Sequence, residues 1–320
     1  MSAEFKTPSD ARPMLSVVTG CFNEAESIGE LVERVESVFT SLPQYRHEIV
    51  IIDNASTDGT QDILRRLAGS NRHVKVILNA RNFGHIRSPF HGLLQADGAA
   101  VICMASDLQD PPEMIPQFVA AWEGGAKAVL AIKDSTEEVG IFFVLRKLYY
   151  RIVEHLADAR TFQNFTGFGL YDRQVVDYCR SLQDPYPYFR GIIAETGLPT
   201  AEVHYQQPAR KRGITKNNFY TLYDLAMLGI TSHSKIPLRL ATMSGFLVSL
   251  VSLVVGGVYL VYKLLFWQQF PVGTAPLVIG LFFFASVQLF FIGILGEYIG
   301  SIHTQVLKRP LVVEKERINF

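Results

Sequence analysis

Cysteine is scarce. The three present, Cys21, Cys103 and Cys179, are odd in number, far apart and set in apolar or helical patterns, which excludes a disulfide framework and a cysteine-based zinc site and fits a reducing compartment. An excess of charge is also missing. The 30 basic and 30 acidic residues cancel, so the chain lacks the cationic surplus that neutralises phosphates, and no nucleic-acid partner is expected. The eight histidines show no i, i+4 pairing, which argues against a metal site of His ligands. Neither G-x-G-x-x-G after the first strand pattern nor G-x-x-x-x-G-K-[ST] anywhere is found, so the backbone cradles for dinucleotides and for ATP are both absent. The short apolar stretch from Met14 to Phe22 follows charged residues and runs into Asn23-Glu24, unlike a secretory signal. The first domain is therefore expected to stay on the side of the membrane where it is made.

Hydrophobic residues make up 48% of the chain and charged residues 19%, which excludes a disordered or fibrous protein. The charge is unevenly spread. From Leu240 to Glu297 the only charged side chains are Lys263 and Glu297. Crossing a bilayer takes about 20 apolar residues, and 240–262 and 276–296 each supply that length. Trp267, Phe270 and Pro271 in the connection fit an interfacial turn, so 240–299 reads as a two-helix transmembrane hairpin. Lys235 and Arg239 precede it, and Lys308 and Arg309 follow, placing both termini in the cytoplasm by the positive-inside rule. Glu297 belongs at the cytoplasmic interface, because an isolated carboxylate in lipid is costly. The spacing of Leu222, Leu225, Leu228 and Ile230 predicts amphipathic interfacial helices over 219–239, and 300–320 reads as a cytoplasmic tail.

Residues 14–218, after an N-terminal tail of 1–13, alternate apolar runs with amphipathic stretches, as a mostly parallel Rossmann-like α/β sheet does. Strands are expected at Leu15 to Thr19, Glu48 to Asp53, Val74 to Leu78, Ala99 to Met104 and Ala128 to Ile132. Helices are expected at Ser27 to Phe39, with Ser27 as N-cap and Glu30 at N3, and from Thr60 and Pro112. Ligands bind at the carboxyl ends of such strands. There stand Asn23-Glu24, Asp53-Asn54 and Ser106-Asp107, each of which is also good turn or cap chemistry. Without a glycine cradle, a nucleotide diphosphate is neutralised by a hard divalent cation, for which Asp107 is the candidate ligand. Asp110 is either its helper or a helix N-cap.

Asn23-Glu24, the run from Ile51 to Thr60, Arg81-Asn82-Phe83-Gly84-His85 and Ser106-Asp107-Leu108-Gln109-Asp110-Pro111-Pro112 resemble, in order and spacing, the motifs of family 2 glycosyltransferases of the GT-A fold. The nearest subgroup moves a sugar from a nucleotide sugar to a polyprenyl phosphate, as dolichol-phosphate mannose synthases and bactoprenol glucosyltransferases do. The resemblance runs from about residue 14 to Lys308-Arg309-Pro310. It implies an inverting, metal-dependent transferase in a bacterial inner membrane, with a nucleotide-diphosphate sugar as donor, undecaprenyl or dolichyl phosphate as acceptor, and Mg2+ or Mn2+ on Asp107. It places Asp53 and Asp58 near base and ribose and Asn23, Glu24 and Arg81 near the nucleotide, and it allows a homo-oligomer. Asn54 and Ala105 stand where many relatives have Asp, which implies weaker ribose contacts or a different metal preference.

Thr166 to Arg173 resembles the family's acceptor-side segment, in which some relatives carry a proposed catalytic base at the place of Gly167. A phosphate monoester, with a second pKa of about 6, is already a nucleophile near neutral pH, so glycine there favours a phosphate acceptor. The segment Arg210-Lys211-Arg212-Gly213-Ile214-Thr215-Lys216 supplies cations, and the resemblance assigns Arg210, Arg212 and Lys216 to the acceptor phosphate. His85 reads equally as a diphosphate contact or a loop anchor, and Glu195 as a fallback base or, more readily, a structural ion pair. The stripe of Phe142, Phe143, Leu145, Leu148, Tyr149 and Ile152 reads as an amphipathic helix. A processive polysaccharide synthase is disfavoured by only two spans and no Q-x-x-R-W run; a catalytically degenerate membrane scaffold is the remaining alternative.

Overall fold

The structure, a computed structural model, describes residues 12–134, 162, 164–208, 227–228, 236–266 and 274–320. The apolar stripe from Phe142 to Ile152 and most of 219–239 lie outside the described residues. Eight strands form one sheet in the order β7-β5-β6-β4-β1-β2-β3-β8. The strands are β1 (Met14–Cys21), β2 (Arg46–Asp53), β3 (Val74–Asn79), β4 (Ala100–Ala105), β5 (Ala128–Lys133), β6 (Phe165–Asp172), β7 (Thr200–Tyr205) and β8 (Glu314–Ile318). Helices α1 (Ile28–Phe39), α2 (Thr60–Ser70), α3 (Gly84–Gln95), α4 (Ile115–Glu123), α5 (Arg173–Leu182) and α6 (Phe189–Glu195) cover its faces.

The five expected strands all form, each within two residues of its expected bounds. Their continuous apolar runs suit strands buried on both faces, and Ile49, Val50, Ile51 and Ile52 are wholly buried. β1 lies between β2 and β4, parallel to both, with Cys21 opposite Asp53 and Gly20 opposite Ala105. Chain order reverses here, since β2 and β3 lie on one side of β1 and β4 on the other. The crevice beyond β1 and β4 is thus the switch point of the sheet. Helix α3 packs closely over it, because a Cβ on Gly20 would lie 2.7 Å from Cγ of Pro89. The expected capping box is absent at α1. Ser27 donates its hydroxyl to Oε2 of Glu24 at 2.8 Å and makes no side-chain cap.

Two strands depart from the parallel pattern. β6 inserts antiparallel between β4 and β5, at the segment that resembles the family's acceptor side and for which no strand is expected from sequence. Gly167 and Gly169 mask its strand character. Gly169 is required there, since a Cβ would lie 2.1 Å from the Val129 carbonyl oxygen. The second is β8, antiparallel to β3. The segment 300–320 is therefore not a simple tail: it begins as helix and ends as a strand of the catalytic sheet. Its charges belong to an edge strand, where charged side chains discourage unwanted pairing. Arg65 binds Glu316 at 2.8 Å, His91 binds Glu314 at 2.6 Å, and Nδ2 of Asn319 donates to the carbonyl oxygens of Ala68 and Val74.

Helices α7 (Ile236–Leu265) and α8 (Thr274–Val306) carry stretches of 22 and 27 residues, Pro237–Val258 and Gly280–Val306, that are long and apolar enough to span a membrane. Their large apolar side chains face outward, with Phe246 72% and Phe282 68% exposed. Water does not tolerate a continuous surface of that kind; lipid does.

The docking of β8 is testable at Val312, which is buried, beside Val313, which is 53% exposed. Val312→Asp should destabilise the protein by about 2–4 kcal/mol, whereas Val313→Asp should be near neutral. Denaturant unfolding in detergent micelles measures the difference.

Candidate active site

The loops after β1 and β2 are stitched together by the residues singled out in the sequence. Asn23, at a left-handed φ of 58° that Asn tolerates, accepts from the Thr57 amide at 2.8 Å and donates its own amide to the Ser56 hydroxyl. The Glu24 amide donates to the Thr60 hydroxyl. Asp58 accepts from the Ala25 and Thr60 amides and from the Thr60 hydroxyl, and these bonds hold its pKa below the usual value even though partial burial opposes them. Asp53 is wholly buried, with Oδ2 accepting from the Ser56 amide and from Gln61. Burial, then the charge of Asp53, drive the Cys21 thiol pKa well up, so it is not a nucleophile.

Asn54 has a role the sequence did not reveal. Its Nδ2 donates to Oδ1 of Asn82 at 2.8 Å and to the Gly84 carbonyl at 3.2 Å, while its Oδ1 accepts from the Phe83 amide and from Asn79. The side chain is 6% exposed. Asn54 therefore latches the 81–85 loop to the end of β2, and an aspartate could not make the two donated bonds.

A cavity of about 380 Å³ opens at the switch point. Asp107, Gln109 and Asp110 line it from the loop after β4, Thr166 and Gly167 from the start of β6, His85 from α3, Arg190 from α6 and Gln207 from beyond β7. Ser106 ties this loop to β1 by donating to the Gly20 carbonyl at 3.0 Å. Asp107 accepts from the Gln109 amide at 3.2 Å. Behind it Asp110 is buried, accepting from the Ala105 amide at 2.8 Å and the Tyr205 hydroxyl at 3.2 Å. Burial pushes the Asp110 pKa up to about 6, and the charge of Asp107 adds to the rise. Asp110 is thus a structural brace as well as a cavity residue. Partial burial, then the charge of Arg190, lower the pKa of His85.

A carboxylate from Asp107 and an amide carbonyl from Gln109 form a set of hard oxygen donors. Such a set fits a divalent cation of the Mg2+ or Mn2+ kind, whose other positions go to water and phosphate oxygens. Gly167 has φ of 103° and its carbonyl accepts from the Tyr171 hydroxyl at 2.8 Å. An L residue is strained at that φ, so this backbone is shaped for glycine and not for an acidic base.

Of the expected residues, Asp107 lines the cavity; Asn23, Glu24, Asp53 and Asp58 form the adjacent stitched rim. Arg81 stands apart. Its guanidinium lies 4.0 Å from the Phe83 ring centroid, which Arg87 also approaches at 5.5 Å, and Arg87 donates to the Pro310 carbonyl beside Arg309. Arg210, Arg212 and Lys216 lie outside the described residues. Arg190, Gln109 and Gln207 were missed by sequence reasoning. Of these, Gln109 was legible two residues from Asp107, whereas Arg190 and Gln207 reach the cavity only through the tertiary fold.

This arrangement defines an α/β enzyme with a largely apolar crevice at a switch point, into which Asp107, Gln109 and Asp110 bring oxygen atoms. The chain belongs to glycosyl transferase family 2, whose family model matches residues 16–179. It is 36% identical over 304 residues to the SfII prophage-derived bactoprenol glucosyl transferase of Shigella flexneri, covering 94% of this chain and 97% of that protein. It is 33% identical to the prophage bactoprenol glucosyl transferase homolog of Escherichia coli K12, covering 94% and 98%. Among solved structures, glucosyl-3-phosphoglycerate synthase from Mycobacterium tuberculosis, in complex with Mn2+ and UDP-glucose, has 19% identity and a TM-score of 0.48, over 68% of this chain and 77% of that one.

The latch predicts that Asn54→Asp destabilises this protein. A carboxylate would face the Asn82 and Gly84 oxygens, at a cost of about 1–3 kcal/mol. Thermal unfolding of the variant beside the parent measures it, and unchanged stability would remove the latch.

Proposed function

We propose that this glycosyltransferase moves a sugar from a nucleotide-diphosphate sugar to a polyprenyl phosphate at the cytoplasmic face of a bacterial inner membrane. The observation that carries the reading is the union, in one chain, of the crevice that presents Asp107 and Gln109 with two apolar helices. The similarity to bactoprenol glucosyl transferases extends over 94% of the chain and so includes those helices. Topology supports the sidedness. Strands on either side of the helix pair share one sheet, which fits two crossings that return the chain to the side it left, and Lys235, Arg239, Lys308 and Arg309 support a cytoplasmic assignment of that side by the positive-inside rule.

Asp107 and Gln109 are assigned to hold Mg2+ or Mn2+, which when bound would neutralise charge on the diphosphate leaving group. Asn23, Glu24, Asp53, Asp58 and Arg81 are assigned to the nucleotide side, in part through the loop shape they fix. The acceptor phosphate oxygen attacks the anomeric carbon from the face opposite the nucleoside diphosphate. A carbon–oxygen bond to the acceptor forms as the one to the diphosphate breaks, with inversion. Arg190 in the cavity, with Arg210, Arg212 and Lys216, is assigned to grip and orient that phosphate. No base is needed, because the acceptor arrives ionised.

Two variants test the assignments, with purified protein, polyprenyl phosphate, a panel of labelled nucleotide sugars, and Mg2+ or Mn2+. Asp107→Asn should lower turnover by about 100-fold or more, a loss of about 3 kcal/mol, with unfolding unchanged. Full activity would overturn its assignment. Arg190→Gln should raise KM for the polyprenyl phosphate by about tenfold and leave KM for the donor unchanged. A polymeric product in place of a lipid-linked monosaccharide would redirect the reading to a polysaccharide synthase.

A further inference from the structure

The end of the sheet opposite the crevice gathers a second set of metal-binding side chains. Glu36 lies in the last turn of α1, His47 at the start of β2 and His73 just before β3. Nε2 of His47 is 2.9 Å from Oε2 of Glu36, and Nδ1 of His73 is 3.5 Å from Oε1 of the same carboxylate. One ligand atom from each residue lies within 4.8 Å of the other two. We propose that Glu36, His47 and His73 bind one borderline transition-metal dication of the Zn2+ kind, with solvent completing the coordination.

The chemistry and geometry favour this over a plain ion pair. Zinc takes nitrogen and carboxylate ligands at about 2.0–2.2 Å in a tetrahedron, which sets donor atoms about 3.3–3.5 Å apart. The 3.5 Å between His73 and Oε1 of Glu36 is already on that scale, and the 2.9 Å hydrogen bond from His47 to Oε2 would lengthen by about half an ångström to admit the ion. A hydrogen bond between Glu36 and His47 accounts for two of the three groups, but His73 Nδ1 at 3.5 Å stands beyond a good N–H···O bond while still facing the carboxylate. The ring of His47 is held between a stacked Phe39 at 4.3 Å and the His73 ring at 4.4 Å. Asn71 supports the set from outside. Its Nδ2 donates to Oε1 of Glu36, and its Oδ1 accepts from the His73 amide at 2.9 Å. Outer partners of this kind orient metal ligands.

His73 is 55% exposed in its side chain, which opens the fourth position to water. β2 separates His47 from Asp53 by six residues, about 20 Å of extended chain, so the site is distinct from the crevice. Its position would let a metal clamp α1 to the first residues of β2 and β3. The sequence hid the triad because its members are far apart along the chain and share no helical face.

The test uses the full chain in detergent, stripped with EDTA and titrated with ZnCl2 by calorimetry. One saturable site is expected, unaffected by excess Mg2+ and by Asp107→Asn. Glu36→Gln and His73→Ala should each weaken it by about 10-fold or more. Far-UV circular dichroism of the metal-free variants checks that they fold. Co2+ added to the unmodified chain should give the visible d–d bands of tetrahedral coordination, a readout that needs no variant. Zn2+ binding left intact in a His47→Gln, His73→Ala double variant would overturn the proposal, as would octahedral Co2+ spectra or only weak, non-saturating Zn2+ uptake.

Discussion

A buried parallel sheet leaves, at the carboxyl end of each strand, loop amides that have no ladder partner, and most of this protein's rim exists to satisfy them. Asp53 takes the Ser56 amide, Asn23 the Thr57 amide, Asp58 the amides of Ala25 and Thr60, Asn54 that of Phe83, and Asp110 that of Ala105. Each such bond contributes about 0.5–1.5 kcal/mol net, yet leaving the group buried and unpaired costs about 1–3 kcal/mol. The rim's motifs are therefore structural before they are ligand-binding. They fix the walls, and Asp107, Gln109 and Arg190 are presented between them.

A second constraint comes from the chain's return. β8 closes the sheet beyond β3 after both apolar helices, so the crevice-bearing domain is fastened at two places, before α7 and after α8. A single covalent tether would leave the domain free to tilt. Here the strand, the Arg65–Glu316 pair and the His91–Glu314 pair hold the second end against α2 and α3. The loop containing Arg81 and Phe83 meets Pro310 through Arg87, so one rim wall touches the segment that leaves α8. The segment that follows the apolar helices and the wall of the crevice are thus joined by the fold itself.

The parallel half of the sheet, the apolar helices and Asp107 were legible in the sequence because each has a local signature: continuous apolar runs, length without charge, and a carboxylate at a strand end. β6 and β8 were not. Gly167 and Gly169 dilute the strand pattern of β6, and Glu314 to Arg317 give β8 the look of a solvated tail. Asn54 was read as a lost carboxylate, since nothing local shows that its amide has two oxygens to satisfy. Arg190, His47 and His73 acquire neighbours only when distant segments meet. Spacing along the chain reports helical faces and strand alternation, and is silent about groups that converge from different elements.

The substitutions that seemed to weaken the site are consistent with one another once geometry is included. Asp107 already raises the pKa of Asp110, and Asp110 holds the amide of residue 105. A third carboxylate at position 105 would add to that repulsion; alanine relieves it. Asparagine at 54 makes bonds that aspartate cannot. At position 167 the positive φ and the bond from Tyr171 suit glycine, and a side-chain base there would have to bear the strain of a left-handed backbone. A site without that base is suited to a nucleophile that is anionic when it binds. Phosphate meets that requirement near neutral pH, and a sugar hydroxyl does not.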